Sequence, residues 1–488
     1  MTDELTSVRL RSRDHPAWRA QVEATKGCPA PTALVPRLAA GVPDPDEQMS
    51  HLLRGSGFAS WRRRVVAVGG CAKPVRLAGS THMEDAAGVR FAEQSGRIFA
   101  PCNNRREAVC PPCAARYSGD TFHVIRSGLT GGKGVSDTVT RHVRVFATLT
   151  PPSFGPVHGR PITRAGRARA CGCGDYHSEY DPRLGTAVDP DSYDYVGAVL
   201  WQAHATELWR RFTITTARHL AAALTIPVGR LREHLRISYA KVAEPQRRGL
   251  FHFHAVLRVD GPHGPVSPPP AGVTEDLLCT VIRTAVAAVR VSTPDSTVGV
   301  RELCWGRQVD TAPIAAHDRG DPALVVADMR VAGYIAKYAT KGTGTTTGVD
   351  RPIRREEQIT ELIVSPHHRA MITTAWRLGG LPEFAGLNLR KWAHMLGFRG
   401  HFLTKSRHYS TTFTALRTAR AEHRHRETLA RYGITDTDGV TVVSNWHVTG
   451  FGYHTDAERE IAHAIAQRLQ RVRMTPRSGR HSPTRERA

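Results

Sequence analysis

With 488 residues and 40% hydrophobic content the chain can bury cores in two to four domains, which argues against a disordered polymer. Its 67 Lys and Arg outnumber 44 Asp and Glu for a formal net charge of +23, a field that attracts polyanions, and arginine's planar fork suits phosphate oxygens. No window of about 18 consecutive apolar residues occurs and Met1 to Leu10 holds no apolar core, so the expectation is a cytoplasmic protein with nucleic acid, not membrane, as partner. A codon bias towards arginine would give a similar composition, so charge points to a class of partner and no further.

Residues 1–63 mix Pro, Ala and charge with short apolar runs and read as a variable segment, helical or poorly ordered. Five of the nine cysteines lie between Cys102 and Cys173, and clustered cysteines in a cytosolic chain bind metal more often than they form disulfides. Cys110-Pro-Pro-Cys113 has the bite of a zinc knuckle; Cys102, and Cys71 far upstream after Gly69-Gly70, complete a tetrahedral set. This predicts a small zinc-ribbon-like N-terminal module over 64–125, running into a helix from Ala114 to Leu129. A strand over Val143 to Thr150 should end at Pro151-Pro152, since proline removes the ladder donor. An insertion at about 156–180 then offers His158, Cys171, Cys173 and His177, either a second structural zinc site or a flexible loop with reduced thiols. At both places metal would replace a missing hydrophobic core.

A long helical pattern covers Tyr195 to Ala223. Arg236 to Glu244 and Leu250 to Val259 read as two strands joined by a five-residue loop, Pro245 to Gly249. Helical patterns return over Thr274 to Val291 and Val325 to Lys341, where Gly342 is a stop. Mixed strands and helices around a clear hairpin predict an α+β core over 126–345. Residues 346–467 are expected to form a C-terminal extension that binds DNA, and 468–488 a disordered basic tail.

Alternation along the second hairpin strand puts Leu250, His252, His254 and Val256 on one face and Phe251, Phe253, Ala255 and Leu257 on the other, packed inward. Pairing Glu244 with Leu250 would set Val242 opposite His252 and make Glu244 a diagonal neighbour of His252. Two imidazoles and a carboxylate leave coordination positions open for a phosphate oxygen and water, as a catalytic metal requires; Mg²⁺ and Mn²⁺ both suit phosphate chemistry, with imidazole favouring Mn²⁺. The plainer reading is a solvated His-Phe-His stripe.

Within the helix ending near Lys341, Tyr334, Lys337, Tyr338 and Lys341 fall at i, i+3, i+4 and i+7 on one face, while Val331, Ala332, Ile335, Ala336 and Ala339 form the face that can pack on a sheet. A phenol with a pKa near 10 needs nearby positive charge to act as a nucleophile, and the lysines can neutralise a pentacoordinate phosphate. A solvated amphipathic helix would show the same spacing.

Taken together, the Phe146 to Gly155 run, His252-Phe253-His254 and the Tyr334 to Lys341 helix resemble, in chain order, the three motifs of the HUH endonuclease superfamily of rolling-circle replication initiators. The resemblance is strongest to initiators of actinobacterial plasmids and integrative conjugative elements, through Tyr193-Asp194-Tyr195, Trp201, Leu208 to Phe212 and Lys391 to Tyr409, and covers roughly residues 65 to 425. It implies a central antiparallel sheet presenting a metal held by His252 and His254, with Glu244 or Gln246 as third ligand, to a tyrosine helix. The residue between the histidines is aromatic here rather than aliphatic. The implied activity is metal-dependent nicking and rejoining of single-stranded DNA at an origin through a 5′-phosphotyrosine, without fixing which tyrosine attacks first. Related readings are a conjugative relaxase or HUH transposase, which share the chemistry; from another class, a non-catalytic zinc-dependent DNA-binding regulator would need only the basic charge and cysteine pairs. No Gly-rich loop ending in Gly-Lys-Ser/Thr is present, so no ATPase is expected and a host helicase and replication machinery would be partners.

Overall fold

The computed structural model describes residues 45–163, 165–315, 322–340, 349, 351–434 and 439–474, with only the backbone at 45–46, 322–326, 338–340 and 473–474. It is a mixed α/β protein built on a five-stranded antiparallel sheet and a separate three-stranded one. The leading elements are α1 (Pro45–Arg54), α2 (Phe58–Ala67), β1 (Val75–Glu84), β2 (Arg90–Ala100) and α3 (Pro111–Thr130). There follow β3 (Val143–Leu149), α4 (Tyr195–Ala223), β4 (Arg236–Pro245), β5 (Phe251–Asp260), α5 (Glu275–Ala288), β6 (Arg290–Ser292), β7 (Glu302–Cys304), β8 (Val309–Ile314), α6 (Pro322–Thr340) and α7 (Pro366–Leu378). The chain continues with β9 (Leu403–Lys405), α8 (Phe413–Arg431), β10 (Thr441–Phe451) and α9 (Asp456–Met474).

The larger sheet has the order β8-β3-β5-β4-β9. One face is dry: Phe251, Phe253, Ala255 and Leu257 pack with Trp201, Leu208 and Phe212 of α4 and Ile282 of α5. The helices start where their caps dictate, Asp194 accepting from the Gly197 amide and Thr274 from that of Leu277. On the other face Ala240, Val242 and Val256 meet Ile125 and Leu129 of α3 and Ala332 and Ile335 of α6. Gln202 of α4 ties the hairpin turn down, its amide donating to the Gly249 carbonyl at 3.0 Å and accepting from the Phe251 amide at 3.1 Å.

The smaller sheet has the order β10-β1-β2 and is poorly covered. Its strands approach closely at Gly79, where an added Cβ would stand 1.9 Å from the Asn445 carbonyl oxygen. β10 pairs with β1 from Val75 opposite Phe451 to Glu84 opposite Thr441, so residues near the C-terminus complete a sheet begun near residue 75. α9 then packs Ala462 against Trp61 and Val65 of α2. That helix runs through Met474, past residue 468 where composition suggests a tail, because Ile461, Ala462, Ile465 and Leu469 continue one apolar stripe. Part of the segment expected as an extension also belongs to the larger sheet, since Leu403 of β9 lies opposite Val242.

Candidate active site and metal centres

The histidine hairpin forms with a register that differs from the one expected. Glu244 pairs with His252, Val242 with His254 and Pro245 with Phe251. The loop keeps five residues but moves one along, to Gln246 through Leu250, closed by the Gln246 amide on the Leu250 carbonyl at 2.8 Å. Gly249 takes a positive φ of 80° there, and its missing Cβ makes room for the Leu396 methyl. Leu250 therefore leaves the histidine face and is buried in the core beneath α4. The two-residue slip keeps both histidines on the face that α6 covers and brings Glu244 into direct contact with His254 rather than leaving it merely diagonal to His252.

His254 is held at both ring nitrogens: Nε2 lies 2.8 Å from Glu244 Oε2 and Nδ1 3.0 Å from the Thr148 hydroxyl on β3. Its ring stacks on Phe146 with centroids 6.0 Å apart. His252 is 5.9 Å away, centroid to centroid, and among the described residues its buried Nε2 has no hydrogen-bond partner. Burial, then the neighbouring His254, pushes the His252 pKa down to about 4, so this imidazole is neutral at pH 7 with a lone pair available. His252 thus presents a neutral ring nitrogen beside the hydrogen-bonded pair of His254 and Glu244. Gln246 lies in the loop instead, its side-chain oxygen accepting from Arg248 at 2.9 Å.

Helix α6 is fixed over this site by a buried ion pair. Arg144 of β3 and Asp328 of α6 meet at 2.9 Å with side chains 0% and 1% exposed, and Arg144 also donates to the carbonyls of Leu129, Thr140 and Ala315. Ala332, Ile335 and Ala336 are buried as their spacing predicts. Tyr334 and Lys337 face outward, and the Tyr334 ring, 41% exposed, stands 5.2 Å from that of His254 and 5.8 Å from that of Phe146. Tyr338 lies on the same helix, but its side chain falls outside the described residues, as does Lys341 altogether. Thr148, Phe146, Arg144 and Asp328 were not singled out as functional residues in the sequence, although Phe146 and Thr148 stand in its first motif.

Among the described residues, two groups have donor atoms that all lie within 4.8 Å of one another: Cys71, Cys102, Cys110 and Cys113, and His158, Cys171, Cys173 and His177. Each can hold a metal ion. In the first, Sγ of Cys71 lies 3.8 Å from that of Cys110 and 3.7 Å from that of Cys113, which is 3.7 Å from Cys102. A disulfide requires about 2.05 Å, whereas four sulfurs about 2.3 Å from a tetrahedral zinc stand about 3.8 Å apart. Backbone amides of Ala72 and Cys102 donate to Cys110 and Cys71 at 3.3 and 3.2 Å. In the second, His177 Nδ1 meets Asp181 at 2.7 Å, which turns Nε2 towards His158 at 3.2 Å and Cys173 at 3.4 Å. Amides of Cys173 and Gly159 bring the Cys171 thiol down to about 6.

Two comparisons give the chain its relatives. A model of the family described as "Replication initiator protein, pSAM2" matches residues 57–467. A protein of Streptomyces ambofaciens named "Replication initiator protein" is 44% identical over 392 residues, 79% of this chain and 83% of that one. No solved structure matches. Such matches define a replication initiator of plasmid type, and the chain belongs to the RepSA family of pSAM2-type replication initiators. No helix among the described residues is long and apolar enough to cross a membrane.

Proposed function

We propose that the protein starts rolling-circle replication of a plasmid or integrative element as an HUH-type tyrosine endonuclease and strand transferase. The observation that carries this reading is the Tyr334 ring 5.2 Å from His254, an imidazole fixed by Glu244 and Thr148 on the neighbouring strands. His252, His254 and Glu244 would hold Mg²⁺ or Mn²⁺, which when bound polarises the scissile phosphate. A tyrosine oxygen, from Tyr334 or Tyr338, loses its proton and bonds to phosphorus as the bond to the 3′ oxygen breaks; that oxygen leaves as a 3′-OH primer and the 5′ end stays on the tyrosine. Lys337, and Lys341 by its sequence spacing of three residues from Tyr338, would offset the charge of the pentacoordinate phosphate. Rejoining reverses the step.

The substrate is origin DNA, single-stranded at the nick, with strand separation left to a host helicase and extension to the replication machinery. Zinc in the Cys71, Cys102, Cys110 and Cys113 group would staple a ribbon-like module whose sheet lacks a core of its own, and zinc in the second group would order the insertion. The test is incubation with a supercoiled plasmid carrying its own origin, with Mg²⁺, Mn²⁺ or chelator, followed by mapping of any nick. One strand should be cut at one position, with protein on its 5′ end, and only when divalent ion is present. Tight origin binding without any cut in Mg²⁺ or Mn²⁺ would instead favour a non-catalytic DNA-binding regulator.

A further inference from the structure

A cleft of about 590 Å³ opens at the end of the sheet that carries Glu244 and His252. Its walls are the end of the first motif (Thr150 to Ser153), the hairpin loop, residues 306–308, and the Cys/His insertion, which contributes His158 and Arg160. Among the described residues four arginines line it, at positions 160, 247, 248 and 307, and no carboxylate does. Arg248 is committed to the scaffold, donating to the carbonyls of Pro151 and Pro152 at 3.0 Å each. Arg160 and Arg307 are exposed, and among the described residues neither is paired with an acid. Among the described residues the Thr150 hydroxyl, on a residue only 7% exposed, has no hydrogen-bond partner.

The insertion that carries the second metal group is locked to this cleft. Both terminal nitrogens of Arg247 donate to the Glu179 carbonyl at 3.2 Å. Gly185, at φ 87°, lies so close that an added Cβ would stand 2.6 Å from the Arg247 backbone. The His158 amide and carbonyl are bonded to Thr186 and Gly185 at 2.8 Å each, so a ligand of the metal group is itself part of the wall.

We propose that this cleft binds one or two unstacked nucleotides of the single strand flanking the scissile phosphate, with Arg160 and Arg307 on phosphate oxygens, and that metal at His158, Cys171, Cys173 and His177 sets its shape. The proposal rests on the endonuclease reading and adds a substrate site to it. The volume suits a nucleotide and not a duplex, and apolar Pro152, Val157 and Leu184 offer surface for a base. The insertion's metal thus acts on strand binding rather than on the tyrosine chemistry.

The test is fluorescence anisotropy of the full-length protein with a labelled mixed-sequence single strand of about 15 nucleotides, and with its duplex, over a salt series. Replacing both arginines (R160A with R307A) should weaken single-strand binding about tenfold and lower the slope of log K against log salt by about 1.4, roughly 0.7 per lost phosphate contact. Duplex binding should stay within about twofold, and lysine at both positions should restore the slope. C171S with C173S, or G185A, which displaces the Arg247 backbone, should weaken the single strand selectively as well. Unchanged affinity and slope in the arginine variant would overturn the cleft, as would equal loss on strand and duplex. Adduct formation measured at saturating strand separates the two ideas: adduct with unchanged strand binding sinks the cleft alone, while neither adduct nor strand binding in the natural protein sinks both.

Discussion

Tyr334 meets His254 edge to face, with ring centroids 5.2 Å apart and planes at 88°. That relationship depends on how α6 is seated, and the Arg144 to Asp328 pair seats it six residues, less than two turns, before the tyrosine. Asp328 touches no reacting atom and is a positioning residue. Asp328→Asn leaves a buried guanidinium without its counter-charge and should cost about 3 kcal/mol of stability. In protein kept folded at low temperature it should lower kcat for nicking with little effect on KM, read from single-turnover cleavage against substrate titration.

His252→Ala or His254→Ala should abolish nicking, by at least about 100-fold, while duplex binding stays nearly intact because phosphate contacts elsewhere supply the affinity. Mn²⁺ titration followed by electron paramagnetic resonance should show bound ion in the natural protein and loss of it in either variant. Full nicking by the double alanine variant in chelator would refute the metal site.

Cys110→Ser with Cys113→Ser, or removal of zinc, should lower the yield and melting temperature of folded protein rather than slow a folded enzyme. Metal analysis of purified protein and a thermal melt check this. Unchanged melting with no bound metal would count against a stapled module.

Lys241 is buried on the dry face of the sheet with Nζ 4.0 Å over the Phe253 ring, and burial brings its pKa down to about 7. The unfolded lysine stays protonated up to about 10.4, so between pH 7 and that value the unfolded state binds more protons and stability rises with pH. Below pH 7 both states carry the proton, and the cost of burying the charge is present in full. Lys241→Met should therefore stabilise the protein by about 1–2 kcal/mol at neutral pH and flatten the rise between pH 7 and 10, measured by denaturant melts.

Much of the site could be read in the sequence because alternation and helical spacing are local. His252 and His254 share a face however the hairpin slides by two, and Tyr334 sits opposite Ala332, Ile335 and Ala336 on any regular helix. Register was not legible, since the turn is closed by Gln202, Leu396 and His368 from distant segments. The edge strands were missed for physical reasons: β8 contains Pro313, β9 is three residues long, and β10 is mostly exposed without an alternating pattern. Cys71, placed with Cys102 and Cys110-Cys113 despite its distance, joins them because the β1-β2 hairpin folds the intervening chain back.

The central claim is that a tyrosine of α6 becomes covalently joined to DNA. Along α6, Tyr338 follows Tyr334 by one turn plus about 40° of helix, and either can serve as nucleophile in the proposed mechanism. The direct measurement is mass spectrometry of the DNA-linked peptide after cleavage of origin DNA by the natural protein, Tyr334→Phe, Tyr338→Phe and the double variant. Each single variant should retain some cleavage or rejoining, the double variant none, and the adduct should map to Tyr334 or Tyr338. Cleavage by the double variant, or an adduct on neither tyrosine, would contradict the mechanism.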